Sequence, residues 1–366
     1  MQKKTKVGIV GCGNISEIYF KAGTTFENLE IIACSDLNAE LSAAKAKQFG
    51  AKAMDTAALL ADKDVEIVIN LTVPSVHAEV STAALNAGKH VYSEKPLALK
   101  VSDGKALVAL AAAKGLRLGC APDTFLGAGL QTCRKLLDDG WIGKPLGATA
   151  FMMGHGMETW HPNPEFFYQP GGGPMFDMGP YYLTALVNML GPVGRIAAIA
   201  KAGYEERLIT SQPRFGQKIK VNTPTHVAGL LEFAGGAVGT LVTSFDVWHS
   251  SLPPIEIYGT EGTLAVPDPN SFGNTVSVRR AGDPEWKSIP FSHGYTENSR
   301  GLGVADMASA IQNGRPHRAN GDMALHVLEC MQSFLESSAS GGHKTMETKC
   351  QRPAPLPLGL RNGTVD

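Results

Sequence analysis

Residues 6–16 read Lys6-Val7-Gly8-Ile9-Val10-Gly11-Cys12-Gly13-Asn14-Ile15-Ser16, a short apolar strand running directly into a glycine turn that opens a helix. In that setting Gly11 permits a tight turn and Gly13 lets the backbone approach a pyrophosphate, which the N–H groups and positive end of the following helix attract. Ser16 stands where a third glycine would complete the dinucleotide fingerprint. A strand-to-helix turn also holds glycine for geometry alone, so the motif needs support. Support comes about twenty residues on, where a second apolar run ends in Ser35-Asp36 and a carboxylate can accept hydrogen bonds from the ribose hydroxyls of an adenosine. A carboxylate there repels a 2′-phosphate, and no arginine follows in Asp36-Leu37-Asn38, which favours NAD over NADP. The competing reading is that Asp36 caps the next helix.

Outward from this stretch, apolar runs at 6–10, 30–34, 65–71, 90–93 and 117–120 alternate with helical patterns near 14–22, 38–49, 76–88 and 101–114. That alternation predicts parallel strands joined by crossover helices, a doubly wound Rossmann sheet. Beyond residue 123 the texture changes. A Pro/Gly-rich stretch spans 161–180, strands are expected at 146–153, 196–202, 227–233 and 238–246, and Gly235-Gly236 reads as a hairpin turn. Helical periodicity returns at 304–313 and 322–338, and Pro353, Pro355 and Pro357 mark an extended tail. The expected fold class is α/β: a dinucleotide-binding Rossmann domain over 1–122, then an α/β substrate domain over 123–366 built on a large open, mostly antiparallel sheet.

Composition narrows the class of partner. The chain has 366 residues, 43% hydrophobic and 18% charged, enough to bury two cores of ordinary size. A formal net charge of -1 leaves no electrostatic footprint for nucleic acid or an anionic membrane, which points to a small-molecule partner. No apolar stretch reads as a signal peptide or a membrane span. Six scattered cysteines without a CxxC pair suit free thiols in a reducing cytoplasm, and His155 and His161 have no third partner that would make a metal site.

Two further segments carry chemistry. Glu94-Lys95-Pro96 follows the fourth long run, where a doubly wound sheet binds ligands beyond the carboxyl ends of its strands. An ammonium at Lys95 can hold a substrate hydroxyl and acidify a neighbour, and Pro96 fixes the turn, with a cis bond open to it. Taken alone it is equally an ordinary lysine in a proline turn. In Gly171-Gly172-Gly173-Pro174-Met175-Phe176-Asp177-Met178-Gly179-Pro180-Tyr181-Tyr182, helical spacing puts Asp177 and Tyr181 on one face, and the glycines suggest close backbone approach to a ligand. Lys95 is expected to bring the Tyr181 phenol toward working pH, making it an acid/base; the bland alternative is a pair of packing tyrosines. Upstream, Trp160, His161 and Tyr168 offer stacking and hydrogen bonds to a sugar ring, or else a proline-pinned loop against the sheet.

In order and combination these segments resemble the glucose-fructose oxidoreductase/inositol dehydrogenase (Gfo/Idh/MocA) family, with further landmarks in Asn70-Leu71-Thr72-Val73-Pro74 with His77 and in Ile255-Glu256-Ile257-Tyr258-Gly259-Thr260-Glu261-Gly262-Thr263-Leu264. The resemblance covers most of the chain. It implies an NAD(P)-dependent oxidoreductase acting on a secondary alcohol of a sugar, cyclitol or glycoside, as a homodimer or homotetramer. By it, Lys95, Asp177 and Tyr181 face the nicotinamide. Cofactor contacts are implied at Gly11, Gly13, Asn14, Ile15 and Asp36, and again at Thr72, Pro74, His77, Glu94 and Pro96. Many relatives have histidine where Tyr181 stands, and the tyrosine form is similar to the glucose-fructose oxidoreductase branch. Asp123 aligns with an asparagine beyond the sixth strand and is expected among the substrate contacts. Two other readings of the same fold stay open: a redox-neutral NAD-dependent glycosidase or lyase, and a non-catalytic sugar or dinucleotide sensor.

Overall fold

The computed structural model describes residues 3–366. Its first half alternates strand and helix: β1 (Thr5–Val10), α1 (Ser16–Thr25), β2 (Leu29–Ser35), α2 (Ala39–Phe49), β3 (Lys52–Ala53), α3 (Thr56–Ala61), β4 (Ile67–Asn70), α4 (His77–Asn86), β5 (His90–Ser93), α5 (Val101–Ala113) and β6 (Leu118–Cys120). The six strands form one parallel sheet in the order β3-β2-β1-β4-β5-β6, the doubly wound order whose reversal at β1/β4 opens a crevice for a ligand. β4 is buried at all four positions, which is why the central strands appear in the sequence as unbroken apolar runs. Helix ends follow from side chains. Asn38 caps α2 by accepting from the Glu40 N–H at 3.0 Å, and Gly50 closes it in the left-handed region at φ 74°.

The second half contains α6 (Ala128–Asp138), β7 (Pro145–Met153), α7 (Gly173–Asp177), α8 (Gly179–Leu190), β8 (Val193–Lys201), β9 (Glu206–Leu208), β10 (Lys218–Lys220), β11 (His226–Phe233), β12 (Val238–Ser244), β13 (Ile255–Gly259), β14 (Gly262–Val266), β15 (Val276–Arg280), β16 (Lys287–Ile289), α9 (Leu302–Asn313), α10 (Gly321–Ser340) and β17 (Lys344–Thr345). Nine strands build a sheet in the order β16-β15-β14-β13-β7-β12-β11-β8-β17. It is antiparallel throughout except where β7 runs parallel to β12. The hairpin between β11 and β12 turns at Gly236, whose N–H donates to the Phe233 carbonyl at 2.8 Å. β9 and β10 form a separate small hairpin. Helices α6, α8 and α10 cover one face of the large sheet, while Ile199, Leu230 and Val238 stand exposed on the other. Among the described residues no helix is long and apolar enough to cross a membrane.

Three expectations need adjusting. No element is expected over 50–64, where the structure has β3 and α3; one is two exposed residues and the other buries Leu59 alone, so neither shows a period. The continuous helix expected through Asp177 and Tyr181 is broken at Met178, with α7 ending before it and α8 beginning after it. The C-terminal tail lies packed on the body: the Glu27 N–H donates to the Gly363 carbonyl at 2.9 Å, and Leu356 is buried.

Candidate active site

The site is assembled at the carboxyl ends of β1, β4 and β5. Gly11 has φ 101°, and a Cβ there would come within 2.7 Å of the Leu71 backbone, so the turn crosses the chain leaving β4 at a distance only glycine allows. Gly13 differs: a Cβ there would meet no protein atom within 4 Å, so packing does not demand this glycine and its side is open to a ligand. Ser16, in the third-glycine place, is buried at the start of α1 and donates to the Gly13 carbonyl at 2.7 Å. Asp36 is not the cap of α2. Its two carboxylate oxygens accept from the Cys12 N–H at 2.7 Å and the Asn38 N–H at 2.8 Å, clamping the glycine turn to the end of β2. Gly11, Gly13, Asn14 and Asp36 thus form the outer half of a cradle suited to a dinucleotide's adenosine and pyrophosphate.

The inner half is a cleft of about 340 Å³. Ile15, Thr72, Pro74, His77, Glu94, Lys95 and Pro96 line one wall, Asp177 and Tyr181 the other. The His77 ring bridges the Pro96 carbonyl at 2.8 Å and the Thr72 carbonyl at 2.9 Å, tying the β4 exit to the β5 exit. Glu94 accepts from the Tyr19 hydroxyl at 2.7 Å and from the Lys95 N–H at 3.0 Å, which fixes α1 against the same turn. The Lys95-Pro96 bond is cis.

Lys95 reaches across to the second half of the chain. Its Nζ donates to the Asp177 carboxylate at 3.0 Å and to the Asp177 carbonyl at 2.8 Å, and it lies 5.2 Å from the centre of the Tyr181 ring. Burial disfavours this ammonium, but the charges of Asp177, Tyr181 and Glu94 outweigh burial and hold it above its ordinary range, so it is a cation at working pH. Tyr181 behaves otherwise than expected. Burial pushes the phenol up, and the opposing pull of Lys95 does not bring it below its ordinary value. The ammonium sits over the ring and bonds to Asp177.

Four proposed substrate contacts fall elsewhere than expected. Asp123 is buried, and one carboxylate oxygen accepts from the Gly301 and Gly303 N–H groups, each at 2.9 Å, so it caps the entry to α9 and does not line the cleft. Tyr168 is fully buried, its hydroxyl donating to Glu158, which also pairs with Arg207 at 2.9 Å. Trp160 is exposed beside His161, with ring centres 5.4 Å apart. His161 stands behind the wall, edge-on to Phe166 at 5.6 Å and Phe167 at 5.2 Å. Those two phenylalanines line the cleft, with Gly171, Gly172, Asn270 and Arg300. The glycines were anticipated as a close-approach segment. Phe166 has only its place two residues before Tyr168 to signal it, and Arg300 has nothing local. His155 stacks on Trp248 with ring centres 3.3 Å apart. Among the described residues no cluster of three metal-binding side chains occurs, and all six cysteines are buried and unpaired.

Fold and cleft together define an oxidoreductase class with an N-terminal dinucleotide-binding domain. The family model described as an oxidoreductase family with NAD-binding Rossmann fold matches residues 5–121, and that of the GFO/IDH/MocA C-terminal domain matches 130–265. The chain belongs to the GFO/IDH/MocA family of oxidoreductases. It is 25% identical to a 1,5-anhydro-D-fructose reductase of Ensifer adhaerens, over 93% of this chain and 98% of that one. It is 27% identical to inositol 2-dehydrogenase 3 of Saccharopolyspora erythraea, over 77% and 79%. Among solved structures, an NAD binding oxidoreductase from Klebsiella pneumoniae superposes with TM-score 0.82 at 21% identity, covering 93% of this chain and 98% of the other. The apo form of levoglucosan dehydrogenase superposes with TM-score 0.83 at 20% identity, covering 95% and 100%.

Proposed function

We propose that this chain transfers a hydride between a nicotinamide cofactor, NAD in preference to NADP, and a secondary alcohol carbon of a sugar, cyclitol or glycoside. The observation that carries the reading is the Lys95 ammonium held 3.0 Å from Asp177 and against Tyr181, in a cleft where the two halves of the chain meet. Bound there, the nicotinamide supplies the hydride acceptor or donor; the protein supplies position and proton transfer. Tyr181 takes the hydroxyl proton as the alcohol is oxidised and returns it in reduction. Lys95 donates to the reacting oxygen with its remaining N–H, and Asp177 fixes the ammonium through two acceptors. Phe166 and Phe167 give the sugar an apolar face and exclude water.

The preference for NAD rests on Asp36, whose carboxylate ends β2 where a 2′-phosphate would meet it. Residues 1–122 serve the cofactor and 123–366 the substrate. The exposed Ile199, Leu230 and Val238 on the large sheet suit a homodimer or homotetramer, and six unpaired thiols suit the cytoplasm.

The test is nicotinamide absorbance with NAD or NADP and a panel of aldoses, cyclitols and glucosides, with Lys95→Met and Tyr181→Phe as controls. NADH formed with one substrate group and lost in both variants is the expected result. Tight NAD binding with product formed but no net NADH would sink the reading in favour of a redox-neutral reaction; neither turnover nor product would leave a sensor.

A further inference from the structure

The cleft holds a second cation that the scheme above does not use. Arg300 lines it together with Tyr181, Phe166 and Asn270, and stands in the loop that leads into α9. That loop is anchored one residue further on, where the buried Asp123 carboxylate accepts from the Gly301 and Gly303 N–H groups, each at 2.9 Å. The side chain is oriented by amides. One terminal nitrogen donates to the Asn270 side-chain oxygen at 2.7 Å, the other to that of Asn298 at 3.0 Å. Both acceptors are neutral, and among the described residues Arg300 forms no ion pair within 4.0 Å.

The other charges at the cleft are already engaged. Lys95 pairs with Asp177 at 3.0 Å. Glu94 has one carboxylate oxygen on the Tyr19 hydroxyl and the other on the Lys95 N–H. Asp123 is buried behind the loop and does not line the cleft. Of the two cations lining the cleft, Arg300 is thus the one without an acidic partner among the described residues. An arginine stays protonated at working pH and offers five N–H donors in a planar fork, of which the two asparagines take two. Amides such as Asn270 suffice to hold a neutral hydroxyl. What an oriented, unpaired guanidinium adds is affinity for an anion, and its fork matches a carboxylate. A single open positive charge also matches a carboxylate better than a phosphate monoester, which carries close to two negative charges near neutral pH.

We propose that the substrate taken by this cleft is a sugar acid, a uronate or aldonate, whose carboxylate is held by Arg300 while a carbinol carbon is presented to Lys95 and Tyr181. This rests on the reading of the cleft as a site of hydride transfer. The carboxylate takes no part in the chemistry. Arg300 acts on specificity: with Lys95 on the reacting hydroxyl and Arg300 on the carboxylate, two charged points fix which carbon of the ring or chain is oxidised.

The full-length protein with NADH bound is titrated with D-glucuronate, D-galacturonate and D-gluconate, each against its neutral amide, which keeps the shape and removes the charge. Binding is followed by calorimetry and NADH fluorescence. The same compounds, with the parent hexoses and hexose phosphates, are offered as substrates with NAD. At least one acid is expected to bind and turn over roughly 10–100-fold better than its amide, as a charged hydrogen-bonded pair in a wet cleft gives. Arg300→Gln should abolish that ratio and Arg300→Lys keep part of it; if neither variant folds, the acid-to-amide ratio of the wild type decides. Acids and amides bound alike by the wild type, a ratio that survives in Arg300→Gln, or a hexose phosphate preferred to every acid would overturn the proposal. So would a loss in Arg300→Gln shared equally by acid, amide and NADH, which would give Arg300 to the cofactor. Arginine-dependent binding of an acid in a protein that oxidises nothing would leave the carboxylate site standing and remove the dehydrogenase reading; turnover of neutral sugars with no preference for an acid would do the reverse.

Discussion

Replacing Asp123 by asparagine separates a structural role from a substrate contact. The carboxyl group is 1% exposed, and burial raises its pKa to about 6 from an ordinary 3.8, even though the Gly303 and Gly301 N–H groups and Arg300 favour the anion. A folded-state pKa above the unfolded one means the group's stability contribution is fully present below pH 3.8 and is lost as pH rises through about 6. Two units correspond to roughly 3 kcal/mol at neutral pH. Asparagine keeps an oxygen for the two N–H groups and cannot ionise. Asp123→Asn and the wild type should therefore melt together near pH 4, and the variant should melt about 4 °C higher at pH 7.5, given the entropy of unfolding usual for a chain this long. Scanning calorimetry from pH 4 to 8 measures the difference directly. A gap that is constant with pH, or that favours the wild type at neutral pH, would refute the argument from burial, and a raised KM without any pH-dependent change in melting would return Asp123 to the substrate.

Lys95→Met should cost on the order of 2–4 kcal/mol, because it strands the Asp177 carboxylate, less than for a fully buried pair since the cleft wets both groups. Adding Asp177→Asn should recover most of that stability in urea denaturation and none of the activity, which the single change lowers by roughly 10²–10⁴. Tyr181→Phe should lower kcat by a similar factor while NADH binding, followed by fluorescence, persists. Asp36→Ser should shift the NAD/NADP ratio of kcat/KM toward NADP by about tenfold or more, and should cost about 1–2 kcal/mol through loss of acceptors for the Cys12 and Asn38 N–H groups. Tyr168→Phe should lower the melting temperature by removing the hydroxyl bonded to Glu158, with KM for the sugar unmoved; a changed KM would place Tyr168 at the substrate after all.

The first sheet was readable because its central strands are buried on both faces. Ile67–Asn70 is covered everywhere, so the chain must be apolar without interruption, and the crossover helices between such runs carry a different period. The large sheet shows less of itself. One face is open, so β11 places Leu231 and Phe233 inside and Leu230 and Glu232 outside, and nothing in that alternation reveals that β7 pairs parallel to β12. Parallel pairing there is decided by where α7 and α8 bring the chain back. The break at Met178 has a local cause: Pro180, in the first turn of α8, has no N–H to continue the ladder of α7, and the helical face inferred from spacing gives way to a turn that still delivers Asp177 to Lys95.

At the site, what could be read was what a short segment determines by itself. Gly11 must be glycine because its φ is 101°, and Lys95 is displayed by the end of β5 whatever the second half of the chain does. The residues that fall outside the cleft are those whose surroundings come from far away. Tyr168 and Trp160 carry the same amphipathic chemistry, yet Tyr168 is buried against Glu158 and Arg207, which pairs with Glu158 and Asp246, while Trp160 stands exposed. Arg300 sits in an irregular loop with no period to mark it, and it enters the cleft because Asp123 grips Gly301 and Gly303. Asp123, expected among the substrate contacts, grips the backbone next to Arg300, which lines the cleft.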